Sequence, residues 1–134
     1  MPQTSGNASV RTCLIVEDST YDQRMMARTV RAVMSPVEVR FAATLEEARL
    51  ALATIRVSFI LLDNNLPDGK GANFAMELAQ DARYGRIPVI IVSDWPSPFM
   101  WEKAALAGVR KVLMKSDFTA SAFTSALPRQ ITLH

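Results

Sequence analysis

Three short runs of the chain are apolar from end to end: residues 13–16, 59–62 and 89–92. Each is too short for a helix, and each meets a polar residue, Glu17, Asp63 and Ser93 in turn. Uninterrupted apolar stretches of this length suit strands buried on both faces of a sheet. Two further segments are mixed. Val37, Val39 and Phe41 alternate with Glu38 and Arg40, and residues 109–114 are interrupted by Arg110 and Lys111 before Lys115. Such patterns predict half-buried strands at the sheet edges.

Helical signals fill the gaps. Ser19 with Asp22 approximates a capping box. The helix behind it runs to about Met34, puts Met26, Val30 and Val33 on one face, and ends before Pro36. Thr44-Leu45-Glu46-Glu47 is a second capping box, followed by the stripe Leu45, Ala48, Leu52 and Ile55. A third helix is predicted over about 72–82, facing inward with Phe74, Ala75, Leu78 and Ala82. Ser97-Pro98 reads as an N-cap with proline at the first helical position, opening a fourth helix that ends near Gly108. The last helix spans about Asp117 to Leu127 and stops at Pro128. Five alternations of strand and helix predict a three-layer α/β fold with a five-stranded parallel sheet. With right-handed crossovers, the order 2-1-3-4-5, known for doubly wound sheets of this size, puts each strand where its pattern fits. The expected domain covers residues 11–127, between a flexible N-terminal tail over 1–10 and a C-terminal tail over 128–134.

Composition narrows the class. A chain of 134 residues, 49% hydrophobic and 21% charged, is one globular domain rather than a disordered segment. A net charge of +2 is too small a bias to argue for nucleic acid. Cys13 is the one cysteine and lies in an apolar run, so it reads as a small buried hydrophobe in a reducing cytoplasm. No apolar run approaches the roughly 20 residues of a membrane span, and the first residues lack a signal-peptide pattern. His134 is the one histidine and is terminal, which excludes Ser-His and Cys-His catalysis. There is no Gly-rich phosphate loop and no Cys/His metal cluster.

The chemistry gathers at one rim. With strands 1 and 3 adjacent, Glu17, Asp18 and Asp63 crowd together and raise one another's pKa. A hard divalent cation relieves that conflict, and Mg²⁺ takes oxygen ligands while keeping some waters. Asp18 and Asp63 are the expected direct ligands, the Asn65 backbone carbonyl a third, and Glu17 a ligand through water. Ser93 and Lys115 end strands 4 and 5 on the same rim. This set suits phosphoryl transfer, with Asp63 as nucleophile forming an acyl phosphate. Lys115 offsets charge on the equatorial oxygens, and Ser93 binds one of them. Taken singly, each residue has a plainer reading: a turn or cap aspartate for Asp18 and Asp68, a cap serine, a solvated lysine. An aspartate-nucleophile phosphohydrolase needs a second carboxylate two residues on, where this chain has Asn65. A flavin phosphate at the first loop would meet Glu17 and Asp18.

Glu17-Asp18, Leu61-Leu62-Asp63 with Leu66-Pro67-Asp68-Gly69, Ser93 and Lys115 together resemble a bacterial two-component response-regulator receiver domain. It is the single-domain, chemotaxis-regulator-like kind, and the likeness covers about residues 11–127. The resemblance implies a flavodoxin-like fold and a phosphate donor that is a sensor histidine kinase or a phosphotransfer protein. It implies no enzymatic activity beyond the chain's own phosphorylation and dephosphorylation. It also implies that phosphorylation draws Ser93 inward and remodels the face of helix 4, strand 5 and helix 5, where a partner protein reads it. Neither nucleic acid nor membrane is an expected partner. No output domain is expected within this chain, so the effector is a separate protein or lies outside the sequence.

Three positions depart from the family pattern. Ser116 replaces the proline after the lysine, where the family often has a cis bond. Val112 replaces the switch aromatic, and Asp94 replaces the small residue after Ser93. They open a second reading, a pseudo-receiver that binds partners without a phosphorylation cycle. Asp94 is expected to oppose the phosphate or reach toward the metal. Trp95, Phe99 and Trp101 stand where the output surface begins. Either two of the three cover the core, or Trp95 or Trp101 takes the place of the missing aromatic.

Overall fold

The five strands are β1 (Arg11–Val16), β2 (Val37–Ala42), β3 (Phe59–Leu62), β4 (Val89–Ser93) and β5 (Lys111–Met114) in the computed structural model, which describes residues 10–132. They form one parallel sheet of the expected order, β2-β1-β3-β4-β5. The fully apolar strands take the centre and the mixed ones the edges. Phe41 on β2 is exposed, whereas Val37 and Val39 on the same side of this edge strand pack against the core.

The helices are α1 (Thr20–Val33), α2 (Leu45–Thr54), α3 (Gly71–Ala79), α4 (Pro98–Leu106) and α5 (Ala120–Ala126). They cover both faces of the sheet. Leu14, Val16, Ile60, Leu62 and Ile91 face α2, α3 and α4, meeting Leu45, Ala48, Phe74, Leu78, Met100 and Ala104. The alternate residues Cys13, Ile15, Phe59, Leu61 and Val92 face α1 and α5, meeting Met26, Val30, Phe123 and Leu127. Cys13 is thus part of the core, and burial pushes its thiol pKa up.

Side-chain caps set the helix starts. The hydroxyls of Ser19, Thr44, Ser97 and Thr119 each accept from the backbone N–H three residues on. Several ends differ from the predicted ones. α3 stops at Ala79 and leaves Ala82 exposed. Asp81 then accepts from the Arg83 N–H at 2.8 Å, which fixes a turn in place of another helical turn. Residues Lys115–Asp117 form a 3₁₀ turn, so α5 begins behind Thr119 and not at Asp117. Pro128 does not end the packed chain. A helical turn, Arg129–Thr132, follows it and buries Ile131 against the α1–α5 side of the core. The tail expected from residue 128 is therefore packed at least to Ile131. The N-terminal tail lies outside the described residues apart from Val10. No helix among the described residues is long and apolar enough to cross a membrane.

Candidate functional site

Sheet register builds the acidic cluster. Val16 pairs with Leu62, and the Asp63 N–H donates to Val16 O at 3.0 Å. Glu17 and Asp63, the next residues on β1 and β3, therefore leave the sheet side by side. Glu17, Asp18 and Asp63 offer carboxylate oxygens that all lie within 4.8 Å of one another. Glu17 is 1% exposed and Asp63 4%, while Asp18 faces water. Burial pushes the Glu17 carboxyl up to about 7, against the pull of Lys115 and the Ser19 N–H. Burial also raises the Asp63 pKa, with Lys115 again the main opposing influence.

Gly71 is needed for the approach of α3 to this turn. Its N–H donates to Asn64 O at 2.8 Å, and a Cβ there would run into the Asp63 carbonyl oxygen. Asn64 completes the joint by accepting from the Ala72 N–H at 2.9 Å. Asn65 pairs with Lys70 in a small hairpin, Asn65–Leu66 against Gly69–Lys70.

Lys115 crosses the rim from the end of β5. Its Nζ lies 2.8 Å from Glu17 Oε1, 2.8 Å from Asp22 Oδ2, 3.7 Å from Asp94 Oδ2 and 3.9 Å from Asp63 Oδ2. Burial disfavours the ammonium, but the carboxylates of Asp22, Glu17 and Asp63 outweigh it, and its pKa rises. The contact with Asp22 has the geometry of a hydrogen bond. Glu17 Oε1 accepts no hydrogen bond of good geometry and meets only the nearby ammonium. Ser93 is fully buried at the end of β4, and its Oγ has no hydrogen-bond partner.

The residues expected to converge on one rim are thus found there: Glu17, Asp18, Asp63, Ser93 and Lys115. Asp22 was missed. Its spacing from Ser19 marks it as the far half of a capping box, yet the Ser19 N–H is taken by Glu17 Oε2 at 2.9 Å. Asp22 is then free to reach a lysine 93 residues away, which no local pattern reveals. Asp94 reaches toward Lys115. The Lys115–Ser116 bond is trans, since Ser35–Pro36 is the one cis peptide among the described residues. Val112 is buried, and Trp95, Phe99 and Trp101 are all exposed, so none of the three covers the core.

A parallel sheet of this order with acids, a hydroxyl and a lysine at its carboxyl rim defines a class of signalling domain. The family model for the response regulator receiver domain matches residues 13–127, and the chain belongs to that family. It is 41% identical over 69 residues to the transcriptional regulatory protein DpiA of Escherichia coli K12, a match covering 52% of this chain and 30% of that protein. It is 35% identical over 80 residues to the KDP operon transcriptional regulatory protein KdpE of the same organism, covering 60% and 33%. The chain therefore matches about a third of the length of these curated relatives. Among solved structures it resembles the phosphorylated cyanobacterial phytochrome response regulator RcpA, with a TM-score of 0.75 and 25% identity, covering 87% of this chain and 88% of that one. A CheY-like receiver domain protein from Methanospirillum hungatei JF-1 shares the fold, with a TM-score of 0.78 at 20% identity over 91% and 94% of the two chains.

Proposed function

We propose that Asp63 is a phosphoacceptor, taking a phosphoryl group from a sensor histidine kinase or phosphotransfer protein and signalling to a partner protein. The observation that carries this reading is the Lys115 ammonium, 3.9 Å from Asp63 Oδ2 at the mouth of the acidic cluster. An Asp63 oxygen attacks phosphorus opposite the leaving group. The new P–O bond forms as the P–N bond to the donor imidazole breaks, and its electron pair stays on the departing nitrogen. Lys115 turns toward the added negative charge. The Ser93 hydroxyl, buried without a partner, donates to a phosphoryl oxygen and so loses an unfavourable state.

The donor set fits Mg²⁺. All the acids offer oxygen, and they lie close enough to share one ion. Asp18, Asp63 and the Asn65 carbonyl are the proposed direct ligands, with Glu17 acting through water. Bound there, the ion supplies positive charge that offsets the crowded carboxylates and the transferring group.

Intact mass after incubation with Mg²⁺ and acetyl phosphate tests this. The native chain is expected to gain one phosphoryl group and Asp63→Asn none. A variant that still gains one removes the assignment. A native chain that gains none favours the pseudo-receiver.

A further inference from the structure

An open groove of about 330 Å³ runs between α3 and α4, and Asn64 and Asn65, directly after Asp63, form one end of it. Its chemistry is unlike that of the acidic rim beside it. Lys70 Nζ donates to Asn65 Oδ1 at 2.8 Å, and Lys103 Nζ donates to Asn73 Oδ1 at 2.8 Å. Amide oxygens hold these ammonium groups in place without cancelling their charge. Among the described residues, no acidic side chain lines the groove and neither lysine forms an ion pair. The other feature is apolar. Trp95 is 82% exposed and Phe99 67%, and both line the groove, with Lys103 Nζ 5.0 Å from the centre of the Phe99 ring.

We infer that this groove binds an acidic segment of a partner protein that carries an aromatic or bulky aliphatic side chain. Two cations without an acidic partner call for carboxylates, and two exposed rings lining the same groove call for apolar cover. A polypeptide fits better than a small ligand. Ligand pockets enclose roughly 70–90% of what they bind, whereas here the rings stand mostly in water and need a covering body. The surface differs from the expected face of α4, β5 and α5, since it lies on the α3 side of α4. It does not depend on phosphorylation, and its test uses the unphosphorylated chain.

The probe is a short capped peptide with one phenylalanine flanked by glutamates, compared with its lysine-substituted counterpart. Binding is followed by tryptophan fluorescence and by calorimetry. The glutamate peptide is expected to bind and the lysine peptide not, with affinity falling as salt rises. Lys70→Glu and Lys103→Glu are each expected to weaken binding roughly tenfold, the size of one charged contact, and Trp95→Ala to weaken it as well. Lys111→Glu, on β5 outside the groove, is expected to leave it unchanged. Equal binding of the two peptides overturns the inference, as does equal loss from Lys111→Glu. Lys70→Gln and Lys103→Gln serve as milder variants if charge reversal disturbs folding. A nucleoside diphosphate that binds with loss at the same lysines, where the peptide does not, makes the occupant a small anion and overturns the partner segment.

Discussion

Lys115 is the residue on which several demands compete. Its ammonium has two oxygens at 2.8 Å, from Glu17 and Asp22, before it reaches Asp63 at 3.9 Å. Glu17 and Asp63 both belong to the proposed metal cluster, and Asp22 does not. Asp22 is therefore the partner that still holds Lys115 once the cluster's charge is offset. A phosphoryl group on Asp63 must draw the ammonium away from it. Asp22→Asn keeps the side-chain shape and removes the competing charge. It is expected to raise the affinity of the Mg²⁺-loaded chain for beryllofluoride, a phosphoryl mimic, by on the order of threefold to tenfold. A fluorescence titration measures this, and an unchanged affinity rejects the competition. The variant also loses an acid from the first turn of α1, a helix-dipole effect of about 0.3–1 kcal/mol, which a thermal melt separates from the binding effect. The acids at strand ends, with Ser93 and Lys115, were legible because an apolar run that halts at a polar residue marks a strand's exit from the core. Asp22 was not, since its partner is set by tertiary structure.

Element boundaries show the same division between local and distant causes. Thr44, Ser97 and Pro98 announce their helices, and the helices start there. The start of α2 carries a second device that its own sequence does not contain. Asp68, from the hairpin after β3, accepts from the N–H groups of Leu45 at 2.9 Å and Glu46 at 3.0 Å. These are two of the donors that a helix N-terminus leaves without partners. Asp68→Ala is expected to lower the melting temperature by a few degrees, and Asp68→Asn by part of that, since its amide oxygen can accept from only one of the two N–H groups. Equal melts for native and Asp68→Ala chains would mean that water replaces the carboxylate without loss. At the other end, α5 is short and depends on its packing. Phe123 is fully buried between Phe59 and Phe118, with ring centres at 5.7 and 5.5 Å. Phe123→Ala is expected to cost about 3–5 kcal/mol, measured by urea unfolding. The predicted limits of α3 and α5 missed because Asp81 and Thr119 choose the termini through single hydrogen bonds. Periodicity alone cannot rank such bonds against one more helical turn.

At the scale of the whole molecule, the two buried acids of the rim and three surface carboxylates respond to pH in opposite senses. Glu17 and Asp63 have folded pKa values above their ordinary ones, chiefly through burial. Between about 4.5 and about 7, the folded chain thus keeps a proton on Glu17 that the unfolded chain has released. Stability from this source is present at the lower end of that window and is lost as pH rises through about 7. Glu77, Asp81 and Asp68 behave the other way. They are held below the usual carboxylate range by Arg49, by Arg83 and by the Leu45 N–H respectively. Their contribution is present above the ordinary carboxylate pKa and is lost as pH falls below it. The metal-free chain is therefore expected to be most stable in mildly acidic solution, with melting temperature falling on both sides. Mg²⁺ is expected to reverse the alkaline limb, because binding at the proposed site requires the proton to leave Glu17 and the carboxylates to be charged. At a hundredfold excess over its Kd, a ligand adds about 2.7 kcal/mol, and that gain is expected to be large near about pH 8 and small near about pH 5. Thermal melts across pH, with and without Mg²⁺, measure both limbs. A Mg²⁺ effect that is the same at both pH values would show that the ion binds away from Glu17 and Asp63. The same acids that make the empty rim costly to keep charged are what would give the metal its hold on the fold.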